Sequence, residues 1–406
     1  MPTSNAKSWP KAVNGGVSAC KSACNNSPMS LARFFPLKQR RRRPLTLRSE
    51  LGEIELVVDY GKEAGSGRWC CPIREQWQLG PHEKITPGFA EKLCFTATAT
   101  GSYEEAAQVA SKWSQTVDDS TLHALVQRVG ARAEGQAQQR YEQPAQERLP
   151  QRGPSELGVL MVDGCQLRYR GARWGKKKTR ENRVEWHELK LGVFYRHEEA
   201  ARTESGRGLL IDKLVVSWQE QAVELGRRLH WEALREGLAR AKDTLFLADG
   251  APWTWNLKQD RWSTARELLD FYHGSEHLWE LGRALHGQQQ PALSQWVEPL
   301  RHQLRHGKER QVLRQIGRLK KRRGEVGKVI QREQNYFQTN ASRMNYQEIA
   351  RRRWPIGSGA VESACRQKQC RFKRCGQFWT QEGLRNLCAL DEAWRNHHWD
   401  ELWAPN

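Results

Sequence analysis

Alternation of apolar and polar positions is clearest, in the first third of the chain, over Leu51–Asp59 (LGEIELVVD), which predicts a strand. Gly61–Gly67 reads as a turn and Pro87–Thr98 as a helix. Ser102 then caps a predicted helix carrying Tyr103, Ala106, Ala107 and Ala110 at helical spacing. After a polar break at Ser114–Val117, a second helix starts near Asp119 or Ser120 and carries Leu122, Leu125, Val126 and Val129. Two short helices around a tight break have the pattern of a helix-turn-helix, although small helix pairs are also common away from DNA. Gly135–Pro154, rich in Gln, Glu and Arg and broken by proline, predicts a helical extension and then a linker between domains.

The second half opens on a continuous apolar strand, Leu157–Val162, that ends in Asp163-Gly164. Cys165–Arg170 is read as pairing back in a hairpin, Gly171–Arg183 as a basic loop and Val184–Tyr195 as a third strand. Ser217–Ala241 predicts a long amphipathic helix, and Thr244–Ala248 a short strand ending in Asp249-Gly250. A turn or helix begins at Trp253–Leu257, and Glu267–Tyr272 is a fifth short strand ending at Asp270 and His273. The predicted order is three strands, helix, strand, helix, strand. From Ser275 to about Arg353 the pattern is helical, and Phe378–Trp403 is a helical, Trp-rich tail. Between them, in Trp354–Cys365 (WPIGSGAVESAC), Pro, Gly and Ser stop one element and start a helix with Ser358 as N-cap. Glu362 falls in the first or second turn, and Glu362, Arg366, Gln369 and Lys373 share one face.

Charge changes this picture. The 406 residues carry a formal charge of +20, distributed unevenly. Arg301–Arg374 holds 21 Lys and Arg against 5 Asp and Glu, and Lys38–Arg43 is a second basic run. Such concentration points to a polyanion, most simply nucleic acid. Residues 1 to about 45, rich in Ser, Asn, Pro and then Arg, predict a disordered basic arm. No apolar run approaches the roughly 20 residues of a membrane helix, and the polar start has no secretory pattern, so a cytoplasmic, nucleoid-associated protein without membrane contact is expected. Ten cysteines, among them Cys20 and Cys24, Cys70-Cys71, and Cys365, Cys370 and Cys375, match no clean zinc spacing and predict reduced thiols.

Asp163 and Asp249 each follow a buried-type strand and precede Gly, and Glu362 adds a third carboxylate from a helix. An Asp-Gly pair alone is usually a turn. Three carboxylates without a matching His set suit a hard cation, Mg²⁺ or Mn²⁺ rather than zinc, and two such ions suit phosphodiester exchange.

The segments LMVDGCQLRYR, WHELKLGVFY, LFLADGAPWTWNL, LLDFYHGSEHLW and PIGSGAVESACRQKQCRFKRCGQFW, in this order, resemble bacterial insertion-sequence transposases of the DDE type, specifically the Kra group, over roughly residues 90–400. The resemblance implies an α/β, ribonuclease-H-like catalytic core with a helical insertion, preceded by a small helical, helix-turn-helix-like domain. It implies Asp163, Asp249 and Glu362 as the catalytic, metal-binding triad for two ions. Asp270-Phe271-Tyr272-His273 matches an Asp-x-x-His motif of related transposases, which makes Asp270 and His273 auxiliary; a capped or packed helix start is the other reading of His273 and His277. Arg351, Arg352, Arg353, Arg366, Lys368, Arg371, Lys373 and Arg374 are the expected DNA contacts. Trp253 and Trp255 are placed either to stack on a displaced base or to pack in the core. Only Cys70-Cys71 stands where such proteins often carry a zinc ribbon, so zinc is not expected.

The expected organisation is an arm over 1–48, an N-terminal domain over 49–134, a linker over 135–155, the first part of the core over 156–274, the basic insertion over 275–353, and the final catalytic helix and tail over 354–406. The expected activity is metal-dependent cleavage and strand transfer of double-stranded DNA by a homodimer. The alternatives are an inactive, domesticated DNA-binding protein and a ribonuclease-H-like nuclease without strand transfer. If six or more cations of 301–374 meet phosphates, affinity for duplex DNA falls on the order of 10³-fold between 50 and 200 mM salt, read by fluorescence anisotropy; a flat response refutes the phosphate contacts.

Overall fold

The computed structural model describes residues 36–80, 82–142, 152–175, 183–204, 208–288, 291–320 and 322–404. Most of the expected arm, the heart of the linker and the KKKTREN part of the basic loop lie outside these residues. The chain divides into two compact units, one formed by 1–126 and 403–406, the other by 127–402. The division falls inside a helix rather than in the expected linker, because Asp119–Glu142 runs unbroken.

In the first unit, β1 (Leu37–Ser49) and β2 (Gly52–Glu63) form a hairpin, and β3 (Trp69–Cys70) pairs with β2. The basic run Lys38–Arg43, expected in the disordered arm, is thus in a strand. Its register explains why: Leu45 opposes Leu56 and Leu47 opposes Ile54, so the hairpin buries an apolar end that holds the arginines in line. Helices α1 (Pro72–Gln76), α2 (Pro87–Ala99), α3 (Tyr103–Ala110) and α4 (Asp119–Glu142) follow. Ser102 caps α3 as expected, accepting from the Glu105 N–H at 3.0 Å.

The second unit is built on a five-stranded mixed sheet. Its strands are β4 (Leu157–Arg170), β5 (Val184–Arg196), β8 (Leu214–Trp218), β9 (Asp243–Ala248) and β10 (Arg266–Leu269); a two-residue pair, β6 (Ala201–Arg202) and β7 (Gly208–Leu209), lies between β5 and β8. The sheet order is β10-β9-β4-β5-β8. β4, β5 and β8 pair antiparallel, while β9 joins β4 and β10 joins β9 in parallel. The two parallel strands are reached through α5 (Ala222–Arg235) and α6 (Pro252–Arg261), crossovers that parallel pairing requires.

Two expectations are corrected. Leu157–Val162 and Cys165–Arg170 are one strand, and its hairpin partner is all of β5, from Gly158 opposite Arg196 to Arg170 opposite Val184. Asp163-Gly164 simply continues the ladder, because both residues accept extended backbone when a neighbouring strand supplies the hydrogen bonds. The front of the predicted helix Ser217–Ala241 is strand: Ser217 and Trp218 end β8, whose β-branched residues Val215 and Val216 are buried.

Helices α7 (Phe271–His286), α8 (Ala292–Arg305), α9 (Glu309–Gly317), α10 (Gly324–Thr339) and α11 (Tyr346–Arg351) form the expected helical block. Then come α12 (Gly359–Phe372), α13 (Gln381–Arg395) and α14 (Trp399–Trp403). The sheet is covered on both faces. A Cβ on Gly192 would meet Leu229 of α5 at 2.4 Å, whereas the alternate face, carrying Asp163, meets Cys365 of α12. Among the described residues no helix is long and apolar enough to cross a membrane.

The outer edge of β8 is closed by side chains of α13 and the residue after it. Asn396 accepts from the Val215 N–H at 2.9 Å and donates to its carbonyl at 3.0 Å, and Glu392 accepts from the Ser217 N–H at 2.9 Å. These groups take the place of a sixth strand on an edge that would otherwise offer itself to another chain. Asn396→Ala strands both groups of Val215 in a buried place, at a cost of roughly 2 kcal/mol, and lowers the melting temperature by about 4–8 °C in a thermal unfolding experiment.

Candidate functional site

The parallel register brings the two aspartates together. Val162 opposes Ala248, so Asp163 stands beside the point where β9 stops and Asp249 begins the next turn. β4 runs on past this point with β5 alone, which opens the sheet on the Asp163 side. Burial pushes the Asp163 carboxyl up from its usual range; Asp249 pushes the same way, and the Gly164 N–H at 2.7 Å and the Cys365 thiol at 3.5 Å oppose it. Asp249 folds back to accept from the Ala251 N–H at 2.9 Å, an Asx turn. Gly250 has φ +103°, and a Cβ there would meet Tyr336 at 3.0 Å and Leu269 at 3.1 Å. Glycine is needed at this turn both for its left-handed backbone and for the close approach.

Glu362 comes from the first turn of α12, one turn before Cys365, whose thiol touches Asp163. Its carboxylate accepts from the Ser358 hydroxyl at 2.6 Å and is exposed. Ser358 therefore does not cap the helix with its side chain, as its position predicts; the hydroxyl is turned to Glu362. Among the described residues, no group of three or more His, Cys, Asp and Glu has the geometry to hold a metal ion. The fold brings Asp163 and Asp249 near one another and leaves Glu362 one helical turn before Cys365, whose thiol touches Asp163. The donor set, all carboxylate oxygen with a crowded and partly buried Asp163, fits a hard divalent cation rather than zinc.

Asp270 is wholly buried. It caps α7 by accepting from the His273 N–H at 2.6 Å, and its other oxygen accepts from the Ser358 N–H. The Phe271 N–H donates to the Ile356 carbonyl at 3.0 Å, and a Cβ on Gly357 would meet Tyr272 at 2.5 Å. Asp270 thus ties the start of α7 to the loop before α12: both its oxygens accept from backbone. His273 lies in α7 rather than at a strand end, half-buried and 3.7 Å from Glu276, and its imidazolium form would lower the Asp163 carboxyl.

Sequence reasoning missed the groups behind these residues. The Tyr336 hydroxyl donates to the Asp249 carbonyl at 2.8 Å, and the Tyr336 ring stacks on His277 with centroids 3.6 Å apart. His277 Nδ1 is 2.5 Å from buried Glu333; burial opposes the charge on Glu333, but hydrogen bonds from His277 and Arg332 hold its carboxyl below the usual range. α10 thus reaches the Asp249 turn. Nothing in a basic, helical stretch marks Tyr336, whereas Cys365 was legible three residues after Glu362. The Cys365 thiol is held protonated by its hydrogen bond with Cys165, then by burial and by Asp163.

The expected DNA contacts divide. Arg351, Arg352, Arg353, Arg366 and Arg374 are exposed, and half-buried Lys373 lies 5.1 Å from the centroid of the exposed Trp186 ring. Lys368 and Arg371 are corrected. Lys368 is buried 2.8 Å from Asp391 and 3.8 Å from Glu392, and Arg371 is buried against the rings of Phe372 and Trp379. α13 covers that side of α12, so these two cations serve packing. Trp253 is half-buried under the Lys190 ammonium at 5.6 Å; Trp255 is core, with Arg343 over its ring at 4.2 Å.

The loop before Glu362 also walls a cleft of about 720 Å³. Arg202, Arg305, Arg353 and His197 line it together with Met161, Trp354 and Ile356, and among the described residues none of its lining is acidic.

The raised Asp163 value carries a sign. Folding loses stability as pH rises from the ordinary carboxylate value through the higher folded one, and below about pH 4 the carboxyl is neutral in both states. Asp163→Asn in metal-free buffer therefore raises the melting temperature at pH 7, and the gain disappears as the pH falls below 4. A lower midpoint at pH 7 would show instead that the charge supports the strand.

No curated protein matches the chain. A family model does, over residues 32–399, and the chain belongs to the uncharacterised protein family UPF0236.

Proposed function

We propose that this protein is a DNA transposase of the DDE type, with a ribonuclease-H-like core, acting on the ends of an insertion sequence. The observation that carries the reading is the meeting of Asp163 and Asp249 on neighbouring parallel strands, with the Glu362 helix docked against Asp163 through Cys365. The sheet order supports it: an antiparallel hairpin and third strand on one side of β4, two parallel strands on the other, is the topology that a ribonuclease-H-like core requires. The PIGSGAVESAC resemblance and the basic cleft beside Glu362 point the same way.

In this reading Asp163, Asp249 and Glu362 would hold two Mg²⁺ or Mn²⁺ ions. When bound, such ions supply positive charge to the attacking and leaving oxygens of a phosphodiester. The raised Asp163 and its crowding by Asp249 make this part of the site receptive to a cation. Asp270 keeps the start of α12 in register with the strand ends, and release of Glu362 from Ser358 frees it to join the aspartates. Arg202, Arg305 and Arg353 receive the strand backbone beside the loop. Water attacks the phosphorus at the element's end, and the P–O3′ bond breaks to leave a 3′-hydroxyl on the element and a 5′-phosphate on the flanking DNA; that hydroxyl then attacks a phosphorus of target DNA in line, forming a new phosphodiester as the target's own 3′-oxygen leaves as a hydroxyl. Holding two ends together calls for a homodimer.

The Glu362–Ser358 hydrogen bond favours a second reading, a DNA-binding protein that has lost catalysis. The two part on one experiment. Purified protein is incubated with labelled DNA carrying the element's ends and a target plasmid, with Mg²⁺ or with EDTA. Joined products form only with the metal, and Asp163→Asn and Glu362→Gln each reduce them by on the order of 10³-fold or more while duplex binding persists. Binding without cleavage or joining refutes the transposase and supports the second reading; cleavage without joining identifies a nuclease.

A further inference from the structure

The hairpin of the first unit sorts its charges by face. Arg41 opposes Tyr60, Arg43 opposes Val58, Lys38 opposes Lys62, and Lys62 opposes Trp69. Directly opposed side chains share a face, and alternate residues along a strand return to it. Lys38, Arg41, Arg43, Lys62, Tyr60 and Trp69 therefore stand together. The acids of β2, namely Glu53, Glu55, Asp59 and Glu63, all fall on the other face by the same alternation. There Asp59 pairs with Arg40 at 2.5 Å and lies 3.9 Å from Arg42. One face is neutralised, and the other is cationic with no acid from its own strands.

The cationic face is also ordered. Tyr60 and Trp69 stack with centroids 5.3 Å apart and planes 16° from parallel. Arg43 lies over Tyr60 at 5.0 Å, and Arg41 and Lys62 lie over Trp69 at 5.9 and 5.7 Å. Rings that hold long cationic side chains in place remove much of the rotamer entropy that a phosphate contact would otherwise cost. The hydrogen-bonding edges of the guanidinium groups remain available, since a ring engages only the flat face of the group.

We propose that this face of β1–β2–β3 binds the backbone of duplex DNA, with the antiparallel ribbon entering the major groove, which has the width to admit one. The proposal rests on the nucleic-acid reading above and assigns the duplex contact of the first unit to the ribbon rather than to helices α3 and α4. Arg41 and Arg43 each contact a phosphate, and Tyr60 and Trp69 position them.

The test uses the full chain and a labelled duplex of about 30 base pairs, with anisotropy read across a salt series. Arg41→Gln/Arg43→Gln makes the slope of log K against log salt shallower by about 1.8 and weakens binding on the order of tenfold at 100 mM salt. Arg40→Gln/Arg42→Gln removes the same charge from the opposite face and leaves affinity and slope nearly unchanged. Trp69→Ala weakens binding by about two- to fivefold through loss of positioning. Equal effects of the two double variants overturn the proposal, since net charge alone would then explain both, and leave the nucleic-acid reading standing. Absence of duplex binding by the native chain overturns both. Circular dichroism of each variant confirms that the sheet is retained.

Discussion

The buried carboxylate of Asp270 is the joint on which the second unit turns. It has no solvent to stabilise its charge, so it needs partners inside the protein, and it finds two backbone N–H groups: one in its own helix, from His273, and one 88 residues further along, from Ser358. Charge-assisted hydrogen bonds of this kind contribute roughly 1.5–3 kcal/mol each. Here they also set geometry. The turn after β10 is tied to the loop before α12, so the start of that helix, and with it Glu362 and Cys365, is placed relative to the ends of β9 and β10. The Phe271–Ile356 backbone bond and the close seat of Tyr272 against Gly357 repeat the tie. The whole helical block from α7 to α11 lies between the two ends of this joint, so the joint holds the start of α12 beside the strand ends across a long stretch of chain.

A second constraint is the separation of cations by task. Lys368 and Arg371 belong to the same basic helix as Arg366, and Arg374 follows just after its end, yet the first two are enclosed by α13 and by aromatic rings, while Arg366 and Arg374 face solvent. A buried ammonium without a partner would be severely destabilising, and Asp391 supplies one at 2.8 Å. Glu392, whose carboxyl burial pushes up to about 7, divides its contacts between Lys368 and the edge of β8. The same polar residues thus close the sheet edge, neutralise α12 and leave the remaining positive charge where an anion can meet it. In the first unit alternation along β1 and β2 achieves the separation, with no buried charge among the described residues of those strands.

Much of this was legible along the chain, and particular residues show where legibility ended. The run Ser102 to Val129 states its helices through a cap and apolar spacing, both local properties, and α3 and α4 begin as expected. Asp163-Gly164 reads as a turn because its residues favour one; a 13-residue partner strand overrode that preference. Ser358 has the side chain of an N-cap, but Glu362 lies one turn away and competes for its hydroxyl. Lys38–Arg43 looks like an unstructured arm because its charges repel, and it becomes a strand because Leu45 and Leu47 anchor it against β2. For the two strands a pairing partner elsewhere in the chain outweighed a propensity of a few tenths to about 1 kcal/mol, whereas for Ser358 a neighbour one turn away did.

By itself the sequence determined the apolar strands that lead to Asp163 and Asp249, the helical block that follows them, the surplus of positive charge and the residues Asp163, Asp249 and Glu362 as carboxylates in suggestive settings. These follow from hydrophobic periodicity and composition, which act over a few residues. The tertiary structure alone decided that Asp163 and Asp249 would be neighbours, that Asp270 would serve as a brace, that Lys368 and Arg371 would turn inward, and that Tyr336 would reach the Asp249 turn. Those outcomes depend on strand register and on which helix covers which face. Both are fixed by burial and hydrogen bonding between segments far apart in the chain, and periodicity within a segment does not say which partner it will meet.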